Sequence, residues 1–107
     1  MKKWITFLFL VASFNALAGF TDGNSLIKAL EGKKINDLGY RSGYFDGYVT
    51  GVSDLSINFL WCPPPGVSGG QLPKIVANYL EAHPERLHEG AGTLVVEAIK
   101  IPFPCKE

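Results

Sequence analysis

Cys62 and Cys105 are the two cysteines of a chain that reads as exported, and they constrain its fold more than any other feature. The first eighteen of the 107 residues carry the export signal: basic Lys2-Lys3, a nearly unbroken apolar run from Trp4 to Phe14, then Ala16-Leu17-Ala18. A basic end, an apolar stretch too short for a membrane span and a small-x-small site make a cleavable signal peptide. Cleavage after Ala18 is expected to leave a single mature domain of 89 residues starting at Gly19, residues 19–107. A chain of that length buries only a little over 60% of its unfolded surface, so its core is marginal and a covalent staple helps. An even cysteine count in an oxidising compartment favours a Cys62–Cys105 disulfide. The loop it closes, 44 residues, is worth about 4 kcal/mol in chain entropy. Two alternatives stand beside it: Cys62 as a catalytic thiol with His83 or His88 as base, or a zinc site made of both cysteines and both histidines. Against zinc, no Cys-x-x-Cys is present, and His83 and His88 lie five apart, about 140° around a helix.

Between residues 36 and 60 no proline occurs and the spacing is helical. Gly39, Gly43, Gly47 and Gly51 recur every fourth residue, three of them followed by Tyr40, Tyr44 and Tyr48. Each interior glycine costs a helix roughly 1 kcal/mol relative to alanine, so the repeat needs an offsetting contact. Tyr44, Tyr48, Val52, Leu55 and Phe59 fall within about 80° of each other on a helical wheel and form the expected buried stripe. The glycines beside it sweep about 120° and form a groove where another helix can approach closely. Gly39, Gly43, Gly47 and Gly51 are therefore expected to serve helix packing, inside the chain or against a second copy.

The rest of the chain also reads as helical. Asn24 or Ser25 can cap a short helix, SLIKALEG, that stops at Gly32. WCPPPGVSGGQ, residues 61–71, is a stiff, proline-fixed loop that ends in a capping box, Ser68 with Gln71, and a Val67–Leu72 staple. A third helix to Ala82 buries Leu72, Ile75, Val76, Tyr79 and Leu80 and turns Gln71, Lys74, Asn78 and Glu81 outward. His83-Pro84 stops it, and a fourth helix is expected from Pro84 to about Ile101. Its inner side is Leu87, Ala91, Leu94, Val95 and Ala98. Pro102 and Pro104 end it. The fold class is all-α, a small four- to five-helix bundle closed by one disulfide.

Enzyme motifs are missing: no phosphate loop, no Gly-x-Ser-x-Gly, no His-Glu-x-x-His. Asp46 and Asp54, eight residues apart and about 12 Å along a helix, suit solvated charges better than an acid–base pair. Removing Lys2 and Lys3 leaves 8 basic and 10 acidic residues, a mature charge of −2, which gives no hold on a phosphate backbone. The chain therefore reads as an exported, non-enzymatic binding module with no cofactor, no metal, no nucleic acid and, after signal cleavage, no membrane.

An ordered set of short pieces narrows this. Gly43 through Asp54, Cys62-Pro63-Pro64, Gly66-Val67-Ser68 with Gln71, Val76, Tyr79-Leu80, His83-Pro84-Glu85, His88, Leu94-Val95, Ala98 and Phe103-Pro104-Cys105 follow one another as in a known family. From Gly43 to Cys105 the chain resembles the Rap/Tai family of type VI secretion immunity proteins. Leu55, where a small residue is common, and the third proline of 63–65 depart from the pattern. The resemblance implies a small all-helical homodimer in the periplasm that binds a peptidoglycan amidase effector and covers its active-site cleft. Pro64, Pro65 and Gly66, in a loop pinned at Cys62, and Lys74, Asn78 and Glu81, on the polar face of the third helix, are the candidate partner contacts. The alternative is a periplasmic helical adaptor or housekeeping protein of the same fold without a toxin partner.

Overall fold

The computed structural model describes residues 20–34 and 39–106, so the expected signal peptide lies outside the described residues. Among the described residues four α-helices follow one another: α1 (Gly23–Lys34), α2 (Tyr40–Ser56), α3 (Gln71–Ala82) and α4 (Ala91–Lys100), with a short 3-10 turn, Pro84–Arg86, between α3 and α4. Among the described residues extended pairing is limited to two isolated bridges, Asp22–Gly90 and Ile57–Trp61. The all-α bundle expected from periodicity is the fold. Cys62 and Cys105 are bonded, with an S–S distance of 2.00 Å and Cα atoms 4.7 Å apart. Both sulfurs are thereby consumed, which removes the thiol-nucleophile and zinc alternatives.

Local chemistry sets the helix ends, in places differently from expectation. Asp22, not Asn24 or Ser25, caps α1: its Oδ1 accepts the Ser25 N–H at 2.9 Å. That hydrogen bond holds the Asp22 carboxyl below its ordinary range. Nor does Gly32 stop α1, which continues to Lys34. Gly32 is buried because Arg41 crosses it; a Cβ there would lie 2.6 Å from the Arg41 Cβ. At Gly23 a Cβ would lie 2.7 Å from Leu94 Cδ1 and 2.9 Å from the Leu87 Cα. These two glycines are where segments of the chain come close together.

The glycine repeat behaves otherwise. One continuous helix does run through Gly43, Gly47 and Gly51, though it spans Tyr40–Ser56 rather than 36–60. Gly39 sits at its N-cap rather than inside it. Beside Gly43, Gly47 and Gly51 nothing approaches within 4 Å of an added Cβ, and all three are exposed. Among the described residues no other helix packs against this groove at Gly43, Gly47 or Gly51. The buried side of α2 is also not the Tyr44–Phe59 stripe. It is Phe45, Val49, Ser53 and Ser56, about 100° away, while Leu55 and Phe59 are 85% and 83% exposed. Two serines concealed that face from an apolar count. Their hydroxyls donate to the carbonyls one turn back, Ser53 Oγ to Val49 O at 2.6 Å and Ser56 Oγ to Val52 O at 2.7 Å, so they are buried at little cost.

α3 buries Leu72, Val76 and Leu80, with Ile75 and Tyr79 half-buried, as its periodicity requires. The Gln71 side chain accepts the Ser68 N–H at 2.9 Å, half of the expected capping box. Pro84 starts only the 3-10 turn; α4 begins at Ala91, because Gly90 is extended and bridges back to Asp22. The Ala91 N–H donates to Thr21 O at 2.8 Å, tying the N-terminus to the start of α4. Ala91, Leu94, Val95, Ala98 and Ile99 complete one core with Leu26, Phe45, Val49 and Trp61.

Candidate functional site

The turn after α2 decides what the surface presents. Asn58 adopts a left-handed backbone, φ 67°, and its N–H donates to Trp61 O at 2.8 Å. The chain reverses there, so Trp61 folds inward and its Nε1–H donates to Ser53 O at 3.1 Å, satisfying a carbonyl near the end of α2. Trp61 also packs against Phe103, with ring centroids 6.4 Å apart, and the Cys62 N–H donates to Phe103 O at 2.9 Å. The disulfide, the indole and this hydrogen bond fasten the start of the proline loop to the C-terminal segment. The same reversal turns Phe59 and Leu60 outward.

Phe59 and Leu60 then border a groove of about 600 Å³ between the C-terminal half of α2 and the outer side of α4. Val52 and Leu55 line it from α2, and Gly92, Val96 and Lys100 from α4. Three large apolar side chains within six residues, Leu55, Phe59 and Leu60, are 85%, 83% and 51% exposed, a concentration that marks an interaction surface in a small protein. Towards the N-terminal end of α2 the surface continues as a tyrosine ladder. Tyr40 and Tyr44 have ring centroids 5.7 Å apart, and Tyr44 stacks on Tyr48 at 6.3 Å. Burial against α4 raises the Tyr48 hydroxyl above its ordinary pKa.

The partner contacts expected from sequence fall into two places. Pro64, Pro65 and Gly66 are exposed together in the loop, where Gly66 takes φ 95°. Lys74, Asn78 and Glu81 are exposed on one side of α3, but Glu81 is already paired with Lys34 at 2.5 Å, clamping α3 to α1. Neither set lines the groove. Sequence reasoning placed Leu55 and Phe59 inside the bundle and so missed the groove; the unusual size of Leu55 at its position was the signal.

The polar groups around the site form structural links. Arg86 makes a two-armed ion pair with Glu89, both bonds at 2.7 Å, reaches Glu97 of α4 at 2.5 Å and donates to the Tyr79 hydroxyl of α3. Hydrogen bonds to Glu89 and Glu97 raise the Arg86 pKa, and the Arg86 hydrogen bond lowers that of Glu89. His83 closes α3, its ring 4.4 Å from Tyr79 and its Nδ1 3.1 Å from Glu85. His88 is exposed, and Asp46 pairs with Lys33 at 2.7 Å.

The sequence model of the Rap1a immunity proteins matches residues 21–105, nearly the whole described bundle and both disulfide cysteines. The chain belongs to the Rap1a immunity proteins. Its role follows from membership: as an immunity protein it acts by binding a cognate effector, and family members are inhibitors rather than enzymes. No curated protein matches it individually. For a Rap1a immunity protein, what matters in the geometry is a rigid loop and an apolar groove, the equipment of recognition.

Proposed function

We propose that this chain is the periplasmic immunity partner of a type VI secretion effector, a peptidoglycan amidase, and that it occludes the active-site cleft of that enzyme. The family match over residues 21–105 carries the reading. The export pattern of residues 1–18 supports the periplasm, where an amidase delivered by a neighbouring cell meets its wall substrate. Inhibition by occlusion needs no catalytic group. It needs a surface that loses little entropy on docking, and the Pro63–Pro65 loop, held at Cys62, has little to lose. The resemblance to Rap/Tai proteins further supports a homodimer as the active form.

Co-expression tests this. Cells carrying a periplasm-directed amidase effector from the same lineage should grow when the full chain is present and lyse when residues 1–18 are deleted. Failure of every such amidase to be captured by the mature chain would exclude the assignment.

A further inference from the structure

We infer that the notch between α1 and the first two turns of α2 binds a pyranose ring that carries a carboxylate, the ring on Tyr40 and the carboxylate on Lys28 and Arg41. None of the residues that line it belongs to the proline loop, α3 or the α2–α4 groove, so the site stands apart from effector recognition.

Charge is the first argument. Four of the eight basic residues of the mature chain, Lys28, Lys33, Lys34 and Arg41, lie on α1 and the first turn of α2. Lys33 and Lys34 are engaged, with Asp46 at 2.7 Å and Glu81 at 2.5 Å. Lys28 and Arg41 are exposed, and among the described residues neither forms an ion pair. The Asp22 carboxylate feels the Lys28 charge but is committed to the Ser25 N–H as the α1 cap. Lys28 and Arg41 line one pocket of about 240 Å³, a positive spot on a protein of net negative charge.

Shape is the second argument. Ser25 and Ala29 complete the α1 wall of the pocket, and Tyr40 and Tyr44 belong to its α2 wall. Drug-sized ligands fill about 300–1,000 Å³, so this pocket takes a single ring rather than a chain segment. Its walls are set before any ligand arrives. Gly32 lets the Arg41 stem lie against α1, since a Cβ there would sit 2.6 Å from the Arg41 Cβ and Cδ. Tyr44 is held by stacking on Tyr48 at 6.3 Å and by its hydroxyl, 3.4 Å from Thr21 Oγ1. Tyr40 leans on Tyr44 at 5.7 Å yet remains 81% exposed. A pre-set site loses less entropy on binding.

The chemistry of these groups selects the ligand. An exposed tyrosine face is electron-rich and attracts the partly positive C–H groups on the flat side of a sugar ring. Lys28 and Arg41 can give charge-assisted hydrogen bonds to a carboxylate. The Ser25 hydroxyl bonds to Asp22 and keeps lone pairs for a ring hydroxyl. A bare phosphate leaves the Tyr40 face unused, and a neutral sugar leaves both cations unmatched. Bacterial wall glycan is built partly of carboxylated rings. Bound there, the protein waits beside the polymer that a peptidoglycan amidase attacks; that consequence, unlike the binding, rests on the immunity reading.

Chemical-shift titration of the isotope-labelled mature chain, without effector, tests this. The probes are N-acetylmuramic acid, glucuronic acid, neutral N-acetylglucosamine and inorganic phosphate. At least one acid should shift the backbone amides of Ser25, Lys28, Tyr40 and Arg41, and bind about tenfold more tightly than the neutral sugar. Lys28→Gln should weaken that binding about tenfold and Tyr40→Leu about fivefold, while Tyr40→Phe should keep it. Lys28 and Tyr40 are exposed, so an unchanged circular dichroism spectrum separates these losses from misfolding. Retention on purified wall sacculi, lost in Lys28→Gln, assigns the ring to wall glycan; binding of a free acid without retention assigns it to a soluble sugar acid. Absence of shifts at these amides with both acids overturns the inference. So does equal binding of N-acetylglucosamine or of phosphate, or full affinity in Tyr40→Leu.

Discussion

Replacing Gly47 by alanine should stabilise the protein, whereas the same change at Gly23 should destabilise it. At Gly47 the new methyl meets nothing within 4 Å, so no steric cost offsets the helix-propensity gain of about 1 kcal/mol. For a domain of this size that is a rise in Tm of about 4–8 °C. At Gly23 the methyl would lie 2.7 Å from Leu94 Cδ1 and 2.9 Å from both the Cα and the carbonyl oxygen of Leu87. Backbone atoms cannot swing away, so overpacking of about 1–3 kcal/mol wins over any propensity gain at the first residue of α1. Thermal unfolding followed by far-UV circular dichroism reads both. If Gly47→Ala lowers Tm, or Gly23→Ala raises it, the division of the glycines into open and close-packed is wrong.

Three further outcomes follow from single contacts. Cys62→Ser should cost about 4 kcal/mol in guanidinium unfolding, and reductant should change the wild type while leaving the variant unaffected. Trp61→Phe removes the donor to Ser53 O and should cost about 1–3 kcal/mol, read as a lower denaturant midpoint. Asp22→Ala should cost about 1 kcal/mol near neutral pH through the lost cap. Because the folded pKa of Asp22 is depressed, its contribution is complete above the ordinary carboxylate value. It is lost as pH falls through the lower folded value, so the gap between wild type and variant should close in acid.

Periodicity carried α3, the inner face of α4 and the existence of α2, because each of those faces is lined by apolar side chains that recur at helical spacing. Compartment and cysteine parity carried the disulfide. The buried face of α2 was hidden because Ser53 and Ser56 reach it with self-satisfied hydroxyls, while Leu55 and Phe59 mimic a core stripe on the exposed side. The start of α4 depended on a tertiary bridge, Asp22 to Gly90, that no local pattern contains. The tight glycines were Gly23 and Gly32, isolated in sequence, rather than the periodic Gly43, Gly47 and Gly51. Close approach depends on what lies opposite, which spacing along one helix does not encode. The proline loop was visible as a stiff exposed element; the groove was not, since it exists only when α2 and α4 lie side by side.

Titrating the purified mature chain into the peptidoglycan amidase proposed as its effector, while following release of cut peptide stems, tests the proposed function most directly. Stoichiometric loss of cleavage, with one effector silenced per bound protomer, is the predicted result. Undiminished cleavage at saturating chain would contradict it.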